Sequence, residues 1–222
     1  MTNLLMIRFS PTVWRLFDLY LGVITAFRFH RVVISGALDM PEPKCPVILI
    51  SNHSTWWDGF FLRLVQKRRF AAWPLYTVTL ASEQHKLPFF FKRLGILPMG
   101  SGPRHTLGLM RSLLARANEA RGEIVVSYFP QGKIYPSSKR PLDFRRGVEV
   151  LARCLGAVVI PVGIHIEPMQ NKRPTAFIVV GPTLSDTSIG ELERAVEREL
   201  DTLLGQLNAR GEALTSSPAE SR

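Results

Sequence analysis

The chain has 222 residues, enough for one sizeable domain with a single core, and 46% hydrophobic residues is ordinary for a globular protein. Twenty-eight Lys and Arg against 18 Asp and Glu give a formal charge of +10, which favours a polyanionic partner: nucleic acid, an acidic bilayer or a phosphorylated ligand. The two cysteines, Cys45 and Cys154, lie outside any metal-type Cys/His spacing, which argues against a disulfide scaffold or a zinc site.

The longest charge-free apolar run near the N-terminus, 19–27, is followed by no small-residue cleavage site, so no secretory leader is expected. It also falls short of the roughly 20 residues of a membrane span. Trp14, Phe17, Leu21 and Ile24 recur at helical spacing, flanked by Arg8, Arg15 and Arg28. Residues 1–30 are therefore read as an amphipathic, membrane-associating helix, although the stripe suits an ordinary core-packed helix equally well. Pro88-Phe89-Phe90-Phe91-Lys92-Arg93, three aromatics followed by two cations, suits the boundary between acyl chains and headgroups.

Residues 31–35 and 47–51 read as strands across a turn-rich 39–44 segment, the second apolar throughout and so buried. A helix is predicted over 58–69, a strand over 75–80 and a short apolar segment over 95–99. Leu107, Met110, Leu114 and Ala117 form a helical stripe, 124–129 a strand and 147–155 a helix. The last strands are predicted at 158–164 and 176–180. Ser188 and Glu191 stand at capping-box spacing before a helix whose apolar face is Leu192, Val196, Leu200, Leu203 and Leu207. The main domain is expected to span 31–210, and the small, polar 211–222 segment reads as a disordered tail. Strands alternating with helices predict a single α/β domain, a largely parallel sheet covered by helices. Ligands of such sheets bind beyond the strands' carboxyl ends, where the loops 52–58 and 130–133 begin.

The first loop holds Asn52-His53-Ser54-Thr55-Trp56-Trp57-Asp58. An imidazole accepts a proton near neutral pH, and a carboxylate on its other nitrogen fixes the tautomer and stabilises the imidazolium. Such a base, deprotonating a substrate alcohol, lets that alcohol attack an activated acyl group directly. A thioester suits the scheme, because a thiol of pKa about 8.5 leaves readily. Asp58 alone would also serve to cap the following helix. The other histidines, His30, His85, His105 and His165, lack such a partner pattern, although His165 and Glu167 would share a strand face.

Company gives the pair its weight. The Asn-His-x4-Asp segment resembles the first signature block of the glycerolipid acyltransferases, the lysophospholipid and 1-acylglycerol-3-phosphate acyltransferase family. Phe129-Pro130-Gln131-Gly132 is similar to the third block, followed by Phe144-Arg145-Arg146-Gly147 and Ala152, and Val158-Val159-Ile160-Pro161-Val162 resembles the fourth. These ordered matches cover about half of the chain.

The resemblance implies a glycerol-3-phosphate acyltransferase-like α/β fold, a fatty acyl donor carried on coenzyme A or acyl carrier protein, and a lipid-like acceptor hydroxyl. It gives His53 and Asp58 the catalytic roles and Asn52, Phe129, Pro130, Gln131, Gly132 and Arg145 substrate contacts. Backbone amides near Gly132 are candidate oxyanion donors. No cofactor beyond the co-substrate is expected, no metal and no nucleic-acid partner, and the location implied is peripheral, on the cytoplasmic face of the inner or plasma membrane.

Two departures matter. Gln131 stands where the family usually has Glu, and an amide can still orient a ligand. The second block normally carries an Arg that holds the acceptor's phosphate, yet the segment from Gly95 to Ser101 has none, and Arg104 arrives several residues late. Either Arg104 folds back or the acceptor lacks a glycerol phosphate. Lys133, Lys139, Arg140, Arg145 and Arg146 offer contacts for donor phosphates or anionic headgroups, or form a solvated surface. Trp56 and Trp57 fit an acyl passage, the membrane interface or the core. The alternative function is a catalytically impaired lipid-binding member of the same fold.

Overall fold

The structure, a computed structural model, describes residues 10–80, 93–100 and 102–215. The aromatic segment around Phe89 to Phe91 and His85 lie outside the described residues. The described elements run, in chain order, α1 (Pro11–Arg28), β1 (Arg31–Gly36), β2 (Val47–Ser51), α2 (Asp58–Arg69), β3 (Leu75–Leu80) and β4 (Ile96–Met99). They continue with α3 (Pro103–Glu119), β5 (Val125–Tyr128), α4 (Gly147–Leu155), β6 (Val158–Glu167), β7 (Thr175–Val180) and α5 (Ile189–Thr215).

The strands form one sheet in the order β1-β7-β6-β2-β5-β3-β4. Every pair is parallel except β6–β7, so β1 and β7 run against the other five. The expected largely parallel, helix-covered sheet is what the chain adopts. Strand β2 is buried on both faces, which is why it reads as an unbroken apolar run. Val47 and Leu49 pack toward α1 and α2, whereas Ile48 and Ile50 pack toward α3, α4 and α5. Pro161 is tolerated inside β6 for a local reason. Its carbonyl bonds Gly181 N at 2.8 Å, so its missing N–H faces the β7 side, where the ladder begins only at Val162↔Val180.

Helix α1 starts on Ser10, whose Oγ accepts from Val13 N, with Pro11 at the first position. Trp14, Phe17 and Leu21 are buried against α2 and the sheet. The stripe that suited a bilayer thus proves to be the core face. A second apolar stripe, Leu16, Leu19, Tyr20, Val23 and Phe27, lies on the outer face at 52–79% exposure. The helix is locked to α2 by Asp18, which accepts from Arg63 Nε at 3.0 Å and Nη2 at 2.8 Å, while the guanidinium covers the Trp14 ring at 4.1 Å. Asp18→Ala strands a largely buried guanidinium. It is expected to destabilise the protein by about 3 kcal/mol, read as a lower midpoint in urea with an unchanged slope; an unchanged midpoint would show that the pair holds nothing.

Two other sequence expectations shift. In α3 the buried apolar positions are Leu109, Leu113 and Ala117, while Leu107 and Leu114 are 48% and 42% exposed. The sheet-facing line follows an i, i+4, i+8 row rather than the expected one, leaving those two leucines on the flank. Helix α5 buries Leu192, Val196, Leu200 and Leu203 as expected, but it continues past Gly211 to Thr215. The Ser188 hydroxyl donates to Asp186 and Glu191 pairs with Arg194 and Arg198, so the expected reciprocal capping box gives way to neighbouring charges.

Candidate active site

Strands β2 and β5 are neighbours and parallel, so their carboxyl ends bring the loops 52–58 and 129–132 together. The first loop leaves β2 under tight control. Asn52 Oδ1 accepts from Ile164 N and its Nδ2 donates to Ile164 O, both at 2.9 Å. Its amide thus continues the β2–β6 ladder by one residue. With both ends so engaged and 3% exposure, Asn52 anchors the start of the loop that carries His53.

His53 follows with its side chain 21% exposed, and its Nδ1 lies 2.9 Å from Asp58 Oδ2. Asp58 is fully buried. Its carboxylate also accepts from Ser54 N at 2.7 Å, Thr55 N at 2.8 Å and the Thr55 hydroxyl at 2.8 Å. These donors, with the N-terminus of α2 beneath, stabilise its negative charge. The expected helix cap is present in reversed form. Asp58 is the first residue of α2 and reaches back to the Thr55 amide, as the acidic partner of a capping box does. Thr55-Trp56-Trp57-Asp58 carries that spacing, so the Thr55 contacts were readable in the sequence.

A carboxylate can only accept, so Nδ1 carries the proton and Nε2 keeps the free lone pair. The ring stacks on Phe129 at 4.2 Å and 20°. The His53 backbone is held at both ends, with its N–H donating to Gln131 Oε1 at 2.6 Å and its carbonyl accepting from Tyr135 N at 2.9 Å. Gln131 is 2% exposed.

The second loop turns on Gly132, at φ +73, whose N–H bonds Phe129 O at 3.0 Å. That amide is therefore engaged within the turn. Arg145 N bonds Pro130 O at 3.0 Å, and its guanidinium lies so close over Gly132 that a Cβ there would stand 3.2 Å from Nη1. Farther along, Glu193 accepts from Asp143 N at 2.8 Å and Phe144 N at 3.2 Å, and Glu197 from Leu142 N at 3.2 Å. These two carboxylates of α5 fix the loop that delivers Arg145. No sequence signal marked them, because they lie about 50 residues from what they hold. Tyr128 sits beneath, its hydroxyl fitting only because residue 147 is glycine. Burial pushes this phenol above its ordinary value, with the Arg145 charge opposing.

His53, Asp58, Phe129, Pro130, Gln131, Gly132 and Arg145 thus gather at one rim. Arg104 lies on the crossover from β4 to β5. It is exposed at the start of α3, after β4, and β4 stands three strand spacings from β2, roughly 14 Å. Of the basic residues, Lys139 pairs with Asp143 at 2.6 Å and Arg140 donates to Ser137 O and Lys139 O. Lys133, Arg145 and Arg146 are exposed. Trp56 is 64% exposed beside the site, while Trp57 packs on Phe29 and Phe60. His165 pairs with Glu167 at 2.8 Å, sharing a strand face as expected. Among the described residues no group of three or more His, Cys, Asp or Glu could hold a metal ion.

Comparisons with known proteins follow this geometry. Curated proteins give no match. The solved structure of the 1-acyl-sn-glycerophosphate (LPA) acyltransferase PlsC from Thermotoga maritima is similar, with a TM-score of 0.60 at 16% identity over 86% of this chain and 78% of that one. A likeness at that identity establishes the shared fold. The family model described as Acyltransferase matches residues 31–165, a span from β1 into β6 that contains His53, Asp58 and the 129–132 loop, and the chain belongs to the acyltransferase family.

Proposed function

We propose that the protein transfers a fatty acyl group from an acyl thioester, acyl-CoA or acyl-acyl carrier protein, to the hydroxyl of a lysophospholipid-like or other lipid acceptor. The observation that carries this reading is the His53–Asp58 pair at 2.9 Å with Asp58 sealed from solvent. It leaves Nε2 as a base aimed out of the loop. His53 takes the acceptor's hydroxyl proton as the alkoxide oxygen attacks the thioester carbonyl, forming the new C–O bond and a tetrahedral oxyanion. Collapse breaks the C–S bond, and the departing thiolate takes the proton back from the imidazolium, which restores the neutral base. Asp58 stabilises that imidazolium throughout. Arg145 and Lys133 supply positive charge for phosphate oxygens of donor or acceptor. The acceptor named for the similar PlsC structure, an acylglycerophosphate, supports a lysophospholipid-like substrate.

The outer face of α1 supports a peripheral attachment to an anionic membrane surface. Leu16, Leu19, Tyr20, Val23 and Phe27 are exposed together, with Arg15 and Arg28 beside them. Among the described residues no helix is long and apolar enough to cross a membrane. The Val23→Asp, Phe27→Asp double variant touches only this face and is expected to lower binding to anionic vesicles at least about tenfold. Co-sedimentation reads the effect; unchanged binding would remove α1 from the interface.

The function is tested by thiol release from long-chain acyl-CoA and acyl-acyl carrier protein with a panel of phosphate-bearing and phosphate-free lipid alcohols. Acceptor-dependent thiol release with an equal yield of ester is expected. Vesicle binding without ester formation from any acceptor would instead establish the catalytically impaired lipid-binding reading.

A further inference from the structure

The hairpin that joins β6 to β7 extends past the rest of the sheet. The β2–β6 ladder closes at Ser51↔Val162, whereas β6 runs on to Glu167, roughly 16 Å farther at about 3.3 Å per residue. The turn 168–174 begins there, beyond the edge from which the His53 loop departs. Residues 168–173 are exposed, Met169 at 39%. The turn carries Lys172 and Arg173 and no acidic residue, and the carboxylate that precedes it, Glu167, lies 2.8 Å from His165.

This turn is fastened to the end of α1. Arg173 donates to the carbonyl of Ala26, one of the terminal carbonyls that a helix leaves unpaired, and its charge suits the negative end of the helix. His30 N bonds Pro174 O at 2.8 Å, and Arg31 pairs with Thr175 at the start of the β1–β7 ladder. Phe27, 79% exposed, and Met169 thereby stand among the exposed cations Arg28, Arg31 and Lys172. The patch continues the apolar outer face of α1. Apolar tips set among cations complement an anionic bilayer, where Lys and Arg are drawn to the headgroups while apolar side chains enter the acyl boundary.

We propose, resting on the reading of α1 as a peripheral membrane helix, that the β6–β7 hairpin is a second contact with an anionic bilayer. Met169 enters the boundary between headgroups and acyl chains, and Lys172, Arg28 and Arg31 meet lipid phosphates. A helix held to a surface by one stripe can rock about its own axis. A second contact, fastened to the end of that helix by Arg173, fixes the tilt. The hairpin leaves the same edge of the sheet as the loop that carries His53, so that edge is held against the surface.

The test is co-sedimentation of the full chain with phosphatidylcholine vesicles, with and without phosphatidylglycerol. It compares the wild type with a Met169→Asp, Lys172→Glu double variant, confirmed as folded by thermal melting. The variant is expected to bind phosphatidylglycerol-containing vesicles at least about tenfold more weakly and with a shallower dependence on salt, since it loses a cation and gains two anions at the surface. A second measurement places an environment-sensitive fluorophore on Met169→Cys, with Cys45 and Cys154 replaced by Ser. Its emission is expected to shift to the blue on vesicle binding. Wild-type affinity in the double variant, or a fluorophore that remains in water on the bound protein, would overturn the hairpin contact. The Val23→Asp, Phe27→Asp variant separates the two readings. If it binds as the wild type does while the hairpin variant is weakened, the α1 contact fails and the hairpin contact stands; the reverse result removes the hairpin alone. A wild-type chain that binds neither kind of vesicle removes both. Should the double variant not fold, the fluorophore at position 169 decides.

Discussion

His53→Ala is expected to lower kcat/KM for acyl transfer by at least about 10²-fold while leaving the fold and vesicle binding intact. The reason lies in how little else the ring supports. It is partly exposed, stacks on one face of Phe129 and makes one side-chain hydrogen bond. Alanine leaves the backbone bonds to Gln131 and Tyr135 in place, and Asp58 keeps its Ser54 and Thr55 donors. What is lost is the base itself. Thiol release with saturating acceptor measures the loss, and turnover within twofold of wild type would remove His53 from the chemistry.

Asp58 is expected to respond more severely and in two ways. Its carboxylate is fully buried and accepts four hydrogen bonds, from His53, Ser54, Thr55 N and the Thr55 hydroxyl. Asp58→Ala leaves those donors without their acceptor, at a cost of about 3 kcal/mol, which for a chain of this size lowers Tm by roughly 5–10 °C. Asp58→Asn preserves shape, but its amide nitrogen would face an N–H donor, or its oxygen would no longer favour the imidazolium. Either outcome disturbs tautomer and charge, and kcat is expected to fall by about 10³-fold or more. The contrast is diagnostic: His53→Ala costs activity without stability, whereas Asp58→Ala costs both. Equal Tm values for the two variants would show that the Asp58 network does not organise the loop.

Much of this site was legible because its geometry is local. His53 and Asp58 are five residues apart, and both sit where a strand with an unmistakable apolar run hands over to a helix. Strand β2 and helices α2 and α4 begin and end where periodicity placed them, since each is buried along its whole inner face. What resisted reading is long-range. Gln131 meeting His53, and Glu193 and Glu197 holding the loop before Arg145, depend on which strands become neighbours and not on spacing. Asn52 looked like a ligand because it precedes His53, whereas the buried end of β2 uses its amide to extend the pairing with β6. The apolar stripe of α1 was visible, but the face it would turn inward was not, because α1 carries apolar residues on both sides.

In the proposed mechanism the acceptor's own hydroxyl, deprotonated by His53, attacks the thioester without a protein nucleophile. Initial velocities measured with acyl thioester and lipid acceptor varied together test it most directly, paired with intact-mass analysis of the protein mixed with donor alone. Intersecting double-reciprocal lines and no acylated protein are expected. Parallel lines, with an acyl-protein adduct that forms and decays fast enough to lie on the reaction path, would contradict it.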